Sequence, residues 1–122
     1  MQTNVVIVKV YREQENIVAL DVCGRVSAQR GGAVVESAVA AIMQTLLMGL
    51  KRLKRIVLEL TEEEDSMHIG IRRGRCRCDV QALMNAAALG LRHQSKRYPC
   101  QVRVLERVIY TEGVVLSEGV VL

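Results

Sequence analysis

The chain has 122 residues, half of them hydrophobic, a formal net charge of +4 and only 2% aromatic residues, all tyrosine (Tyr11, Tyr98 and Tyr110). This length suits one domain with a core large enough to fold without disulfide staples, and that core has to be aliphatic. The scarcity of rings argues against base-stacking recognition of single-stranded nucleic acid, while the net positive charge leaves room for an acidic partner.

The opening "MQTNVVIVKV" lacks a basic stretch ahead of an apolar one, so no secretory signal is read there and cytoplasm is the expected location. Asn4 to Glu13 is β-branched and loosely alternating, and Asn16 to Gly24 follows after a polar break, which together predict a hairpin. The run "RGGAVVESAVAAIMQTLLMGLKRL" turns to Ala, Leu and Met between Gly31–Gly32 and a basic end at Lys51, Arg52, Lys54 and Arg55. It predicts a helix of roughly five turns, central in the fold and packed on most of its circumference, with basic residues at the negative pole of its dipole. Its longest apolar run, residues 37–50, is interrupted by Gln44 and Thr45, falls short of a membrane span and gives no expectation of a membrane partner.

"RIVLELTEEED" and "SMHIGIRRGRC" alternate as a second strand pair, joined by an acidic loop from Glu62 to Asp65. A second, amphipathic helix is expected from Asp79, read as its cap, to the residues before Pro99, with apolar positions at 80, 83, 84, 87, 88 and 91. "CQVRVLERVIY" is a fifth strand, so the order is ββαββαβ and the class α+β, a small mixed or antiparallel sheet covered by two helices. Residues 1–110 form the domain. The tail, residues 111–122, contains EGVVL twice and reads either as a frayed end or as an extra strand on a sheet edge.

A glycine turn after the second strand, followed by a helix that opens with two β-branched residues before small ones, resembles the ribosomal-processing cysteine protease family, Prp. The resemblance runs from about Val5 to Val104 and includes "MQTLLMGL" and the second helix ending at a Tyr near Pro. It implies a homodimer that trims the N-terminal extension of a bacterial large-subunit ribosomal protein. The family's Gly-His-Ala reads Gly24-Arg25-Val26 here, and its Asp-Ile-Val-Cys-Ala-Ala-Val-Ser reads Ala33 to Ala40. The catalytic His thus falls on Arg25, the catalytic Cys on Glu36, and the acidic residue before the helix on Ala33.

A carboxylate is a poor nucleophile toward an amide and a guanidinium cannot shuttle protons, so the dyad's chemistry is not carried by these positions. Arg25 and Glu36 are instead expected to form an ion pair in place of the thiolate and imidazolium, with Glu36 also favoured by the helix N-terminus. The glycine-rich loop that covers the family's site corresponds to "SAQRGG", in which Ser27, Gly31 and Gly32 are expected to be flexible.

Cys23, beside Gly24, is the fallback nucleophile, although a thiol within a strand is more often filler. His68 and His93 are the available imidazoles. Cys76 and Cys78 share a strand face in this reading but lack zinc-site spacing, so neither metal nor cofactor is expected and the four cysteines, Cys100 included, are read as reduced. The basic groups at residues 51–55, 72–77 and 92–97 could form one surface. The expected function is a non-catalytic Prp-like binding or assembly protein associated with the ribosome or one of its proteins. The alternatives are an active cysteine peptidase with a displaced nucleophile and a basic RNA- or ribosome-binding module.

Overall fold

The computed structural model of the chain describes residues 4–26, 31–109 and 115–120. Strands β1 (Val6–Glu13) and β2 (Asn16–Cys23) form the first hairpin and are followed by helix α1 (Gly32–Lys51). Strands β3 (Val57–Glu63) and β4 (Ser66–Arg73) form the second hairpin, then come helix α2 (Cys78–Arg97), β5 (Val102–Ile109) and β6 (Val115–Val120). The six strands make one mixed sheet in the order β3-β4-β2-β1-β5-β6. Only β1 and β5 run parallel; the other pairs are antiparallel. The fold is α+β with the expected ββαββαβ order, and β6 adds to the outer edge of β5 from Leu105↔Val120 to Ile109↔Val115.

The strand alternation explains which face the helices cover. Val6, Val8 and Val10 of β1 are buried, and the register carries that face through Leu20 and Val22 to Ile69 and Met67, and on the other side to Val102 and Val104. Onto it pack Val35, Val39, Met43, Leu46, Leu47 and Leu50 of α1 and Val80, Met84, Ala87, Ala88 and Leu91 of α2. These positions recur every three or four residues, as one stripe of a helix requires. The two helices approach closely where a Cβ on Gly49 would stand 3.3 Å from Leu83, and one on Gly90 would stand 3.3 Å from Ile42. The opposite sheet face carries Lys9, Tyr11, Asp21, Cys23, His68 and Gly70, and no described element covers it.

Several expectations are corrected by this geometry. Although α1 is apolar nearly all round, a sheet offers it only one face, and Val34 and Met48 remain 61% and 68% exposed. Its length and composition do reach those of a spanning helix, contrary to the expectation from the interrupted run. The acidic loop is shorter than expected: Glu62 and Glu63 belong to β3, and only Glu64 and Asp65 make the turn.

Asp79 is not the cap of α2. The chain enters that helix with Arg77 at the N-cap in extended conformation, and Asp79 in the first turn holds Arg77 (2.7 Å) and its own neighbour's N–H, that of Val80 (2.8 Å). Cys76 and Cys78 do not share a strand, since one lies in the loop before α2 and the other is its first residue.

Ion pairs tie β5 to β1 and to α2. Glu106 on β5 accepts from Arg12 Nε of β1 (2.7 Å) and from Arg92 Nη2 of α2 (2.5 Å). All three side chains are less than a third exposed, so this bridge is better shielded from water than a surface pair.

Candidate functional site

A cleft of about 250 Å³ opens where the end of β2, the first half of α1 and the β3–β4 turn meet. Its floor is apolar, from Val6, Val22, Val39, Met43 and Met67, and its rim is Glu36, Ala40, Glu62, Glu63, Glu64 and Asp65, with Arg25. Alternation accounts for the acidic wall. Glu62 pairs with Met67 in the register, so its side chain lies on the helix-bearing face, and Gln44 of α1 reaches it from across the cleft (Nε2 to Oε1, 3.4 Å). The turn is pinned to β2 by the Gly24 N–H, which donates to the Asp65 carbonyl at 3.0 Å. Gly24 itself has φ 102°, a conformation that favours glycine.

The structure brings Arg25 and Glu36 to the same cleft but does not form the expected ion pair between them. Arg25 turns to the β3–β4 hairpin, where its Nε is bonded to Asp65 Oδ1 and its Nη2 lies 3.7 Å from Glu64 Oε1. The physical reason is proximity: Gly24 already docks on the Asp65 backbone, so the next side chain meets that carboxylate first. Arg25 and Asp65 are both more than half exposed, which makes the tie weak energetically and leaves it mainly a matter of placement.

Glu36, half-buried, has no ion-pair partner among the described residues. It also stands in the second turn of α1, behind a first turn without acidic residues, where the pull of the helix dipole has faded.

Of the expected flexible loop, Ser27 lies outside the described residues. Gly31 is the N-cap of α1 with φ 75°, its carbonyl accepting from Val34 and Val35, and Gly32 is buried as the first helical residue.

Cys23 is placed away from the cleft. Its neighbour Val22 lines the cleft floor, so Cys23 at the next position of β2 faces the opposite side of the sheet. His68 shares that opposite face. Its Nδ1 sits 3.5 Å from Asp21 Oδ1, its ring meets Tyr11 edge-on with centroids 6.1 Å apart, and its Nε2 lies 3.3 Å from where a Cβ on Gly70 would be. The imidazole therefore leans along β4 toward Gly70, whereas Cys23 pairs with Ser66 at the other end of that strand. The hydrogen bond to Asp21 raises the His68 pKa above its usual value, partly opposed by burial and helped by the charges of Asp21 and Glu59.

His93 is exposed on α2, and all four cysteines are unpaired. Among the described residues no group of three or more His, Cys, Asp or Glu is placed to hold a metal. Several arginines of the basic runs are held by carboxylates, Arg72 by Glu59, Arg75 by Glu13, Arg77 by Asp79 and Arg92 by Glu106.

The acidic wall of the cleft is what the sequence reading missed. Its signal was present in the even-numbered positions of β3, since 58, 60 and 62 share one face, but the run from Glu62 to Asp65 reads locally as nothing more than a polar connection. Chemically, the described lining offers carboxylates, an amide, a guanidinium and the hydroxyl of Ser66, with neither a thiol nor an imidazole. Such a set binds cations and peptide N–H groups; it does not form an acyl-enzyme through sulfur.

No family model and no curated protein matches the chain. Solved structures do. SMU.848 from Streptococcus mutans is similar with a TM-score of 0.75 and 20% identity, over 88% of this chain and 99% of that one. The essential ribosomal processing protease Prp from S. aureus in complex with a substrate peptide gives a TM-score of 0.75 at 11% identity, over 83% of this chain and 98% of that one. The same protease with a covalently linked product peptide gives 0.70 at 12% identity, over 81% and 96%. The chain therefore has a Prp-like fold.

Proposed function

We propose, with the shared fold as premise, that the cleft between β2, α1 and the β3–β4 turn binds an extended peptide without thiol-dependent cleavage. The chain would then serve as a Prp-like binding or assembly protein, acting as a homodimer on a ribosomal protein or the ribosome in the cytoplasm. One observation carries this reading. Arg25 and Glu36, the positions at which the resemblance puts the protease's His and Cys, line one cleft together, and Arg25 is held there by the opposite wall.

Two further facts support it. The neighbour of the same fold that holds a peptide is a protease, so the fold is one on which a peptide can be seated. The relocated thiol, Cys23, faces away from the cleft and its nearest candidate imidazole is directed at Asp21 and Gly70. The test incubates the protein with peptides spanning the N-terminal extension of a large-subunit ribosomal protein, with and without a thiol alkylator, and follows both binding and cleavage. Binding without cleavage is expected. Cleavage that the alkylator abolishes would overturn the non-catalytic reading, and absence of any peptide binding would overturn the cleft's assignment.

A further inference from the structure

The charge of the cleft runs against that of the whole chain. The protein carries +4 overall, yet the described lining sets five carboxylates against one guanidinium. That guanidinium, on Arg25, is already engaged by Asp65 and Glu64. Among the described residues Glu36 has no ion-pair partner, and Glu62 receives only the long bond from Gln44. A concave, partly apolar wall of one sign focuses its field into the cleft and raises the local concentration of the opposite charge.

Shape narrows the ligand further. At about 250 Å³ the cleft is below the roughly 300–1,000 Å³ of small-molecule sites, and its size suits one long side chain. The floor of Val22, Val39 and Met43 is apolar while the carboxylates stand at the rim. Lysine and arginine match this layering because their methylene stems lie along apolar surface while the charged head stays at the wet edge. An acidic side chain or a phosphate would meet repulsion at the same rim.

We infer, resting on the peptide reading above, that the cleft selects a lysine or arginine of a basic peptide segment, its stem on Val22, Val39 and Met43 and its charge between Glu36 and Glu62. The site thus takes cationic protein segments and discriminates by charge rather than by fitting a large apolar side chain.

Three fluorescent peptides of equal length, differing only in lysine, glutamine or glutamate at their central positions, test this by fluorescence anisotropy. The lysine peptide should bind most tightly, and Glu36→Gln or Glu62→Gln should each weaken it about threefold, the scale of an exposed ion pair. Raising salt from about 0.05 to 0.5 M should erase most of the preference, because the Debye length then falls to a few ångströms. Glu15→Gln, in the β1–β2 turn at the other end of the sheet, should leave binding unchanged.

Equal binding of all three peptides would overturn charge selection while the peptide cleft survives. Binding of none would overturn the peptide reading itself. A lysine preference untouched by both cleft variants would place the cation elsewhere and overturn the inference, provided circular dichroism shows the variants folded.

Discussion

Gln81 of α2 does the work of a missing strand. Its Oε1 accepts the Ile17 N–H at 2.9 Å, and its Nε2 donates to the Ile17 carbonyl at 2.8 Å and to the Arg75 carbonyl at 2.8 Å. Ile17 lies at the start of β2, beyond the point where β4 pairing ends at Ala19↔Gly70, so its two backbone groups on that side have no ladder to join. Gln81→Ala should remove three part-buried hydrogen bonds, each with a net value of about 0.5–1.5 kcal/mol. Partial rehydration of the exposed backbone reduces the sum, and a loss of about 2–3 kcal/mol is expected.

Gln81→Glu is the sharper test, because a near-isosteric carboxylate keeps the acceptor and loses both donors, setting negative oxygens against two carbonyls. It should cost about as much as alanine. Urea unfolding followed by circular dichroism would read this as a midpoint lowered by roughly 1–2 M with unchanged slope. A Gln81→Glu variant within about 0.5 kcal/mol of the parent at neutral pH would refute the bridging role.

Two further outcomes are expected. His68 has a folded pKa raised above its usual value of about 6.5 by the hydrogen bond to Asp21, with Glu59 adding to it and Lys9 opposite Asp21 in the register. The contribution of that pair to stability should therefore be complete below the unfolded pKa and disappear as pH rises through the folded one, and Asp21→Asn should flatten that dependence; an NMR titration placing His68 at or below 6.5 would contradict it. Gly74 has φ 96°, and a Cβ added there would stand 2.8 Å from Ile56 Cγ2, so Gly74→Ala should lose about 1–3 kcal/mol in thermal unfolding, and an unchanged melting temperature would show that the loop yields freely.

The fold was readable because its signals are local and periodic. Val6, Val8 and Val10 declare a half-buried strand, and Val80, Met84, Ala87 and Leu91 declare a helix stripe, with no need of distant partners. The circumference of α1 was not readable in the same way, since composition reports apolarity but not how many faces the neighbours can cover. The cleft was half legible. Residues 25 and 36 were singled out together, but the partner of Arg25 lies forty residues onward, at Asp65, and only the β2–β4 register brings it near. The misplaced cap on α2 has a similar origin: Asp79 has a suitable side chain for the N-cap, but the chain is already helical at Cys78.

The parallel pairing of β1 with β5 has a consequence for how the chain is made. β1 can close its hairpin with β2 almost at once, but its other edge waits for residues 102–109. At about 5–20 residues per second of synthesis that edge stays unpaired for roughly 5–20 s. The central strand of the finished sheet is thus for a time an open edge of the nascent one, and this interval, more than any property of the native state, is when the chain is most exposed to pairing with the wrong partner.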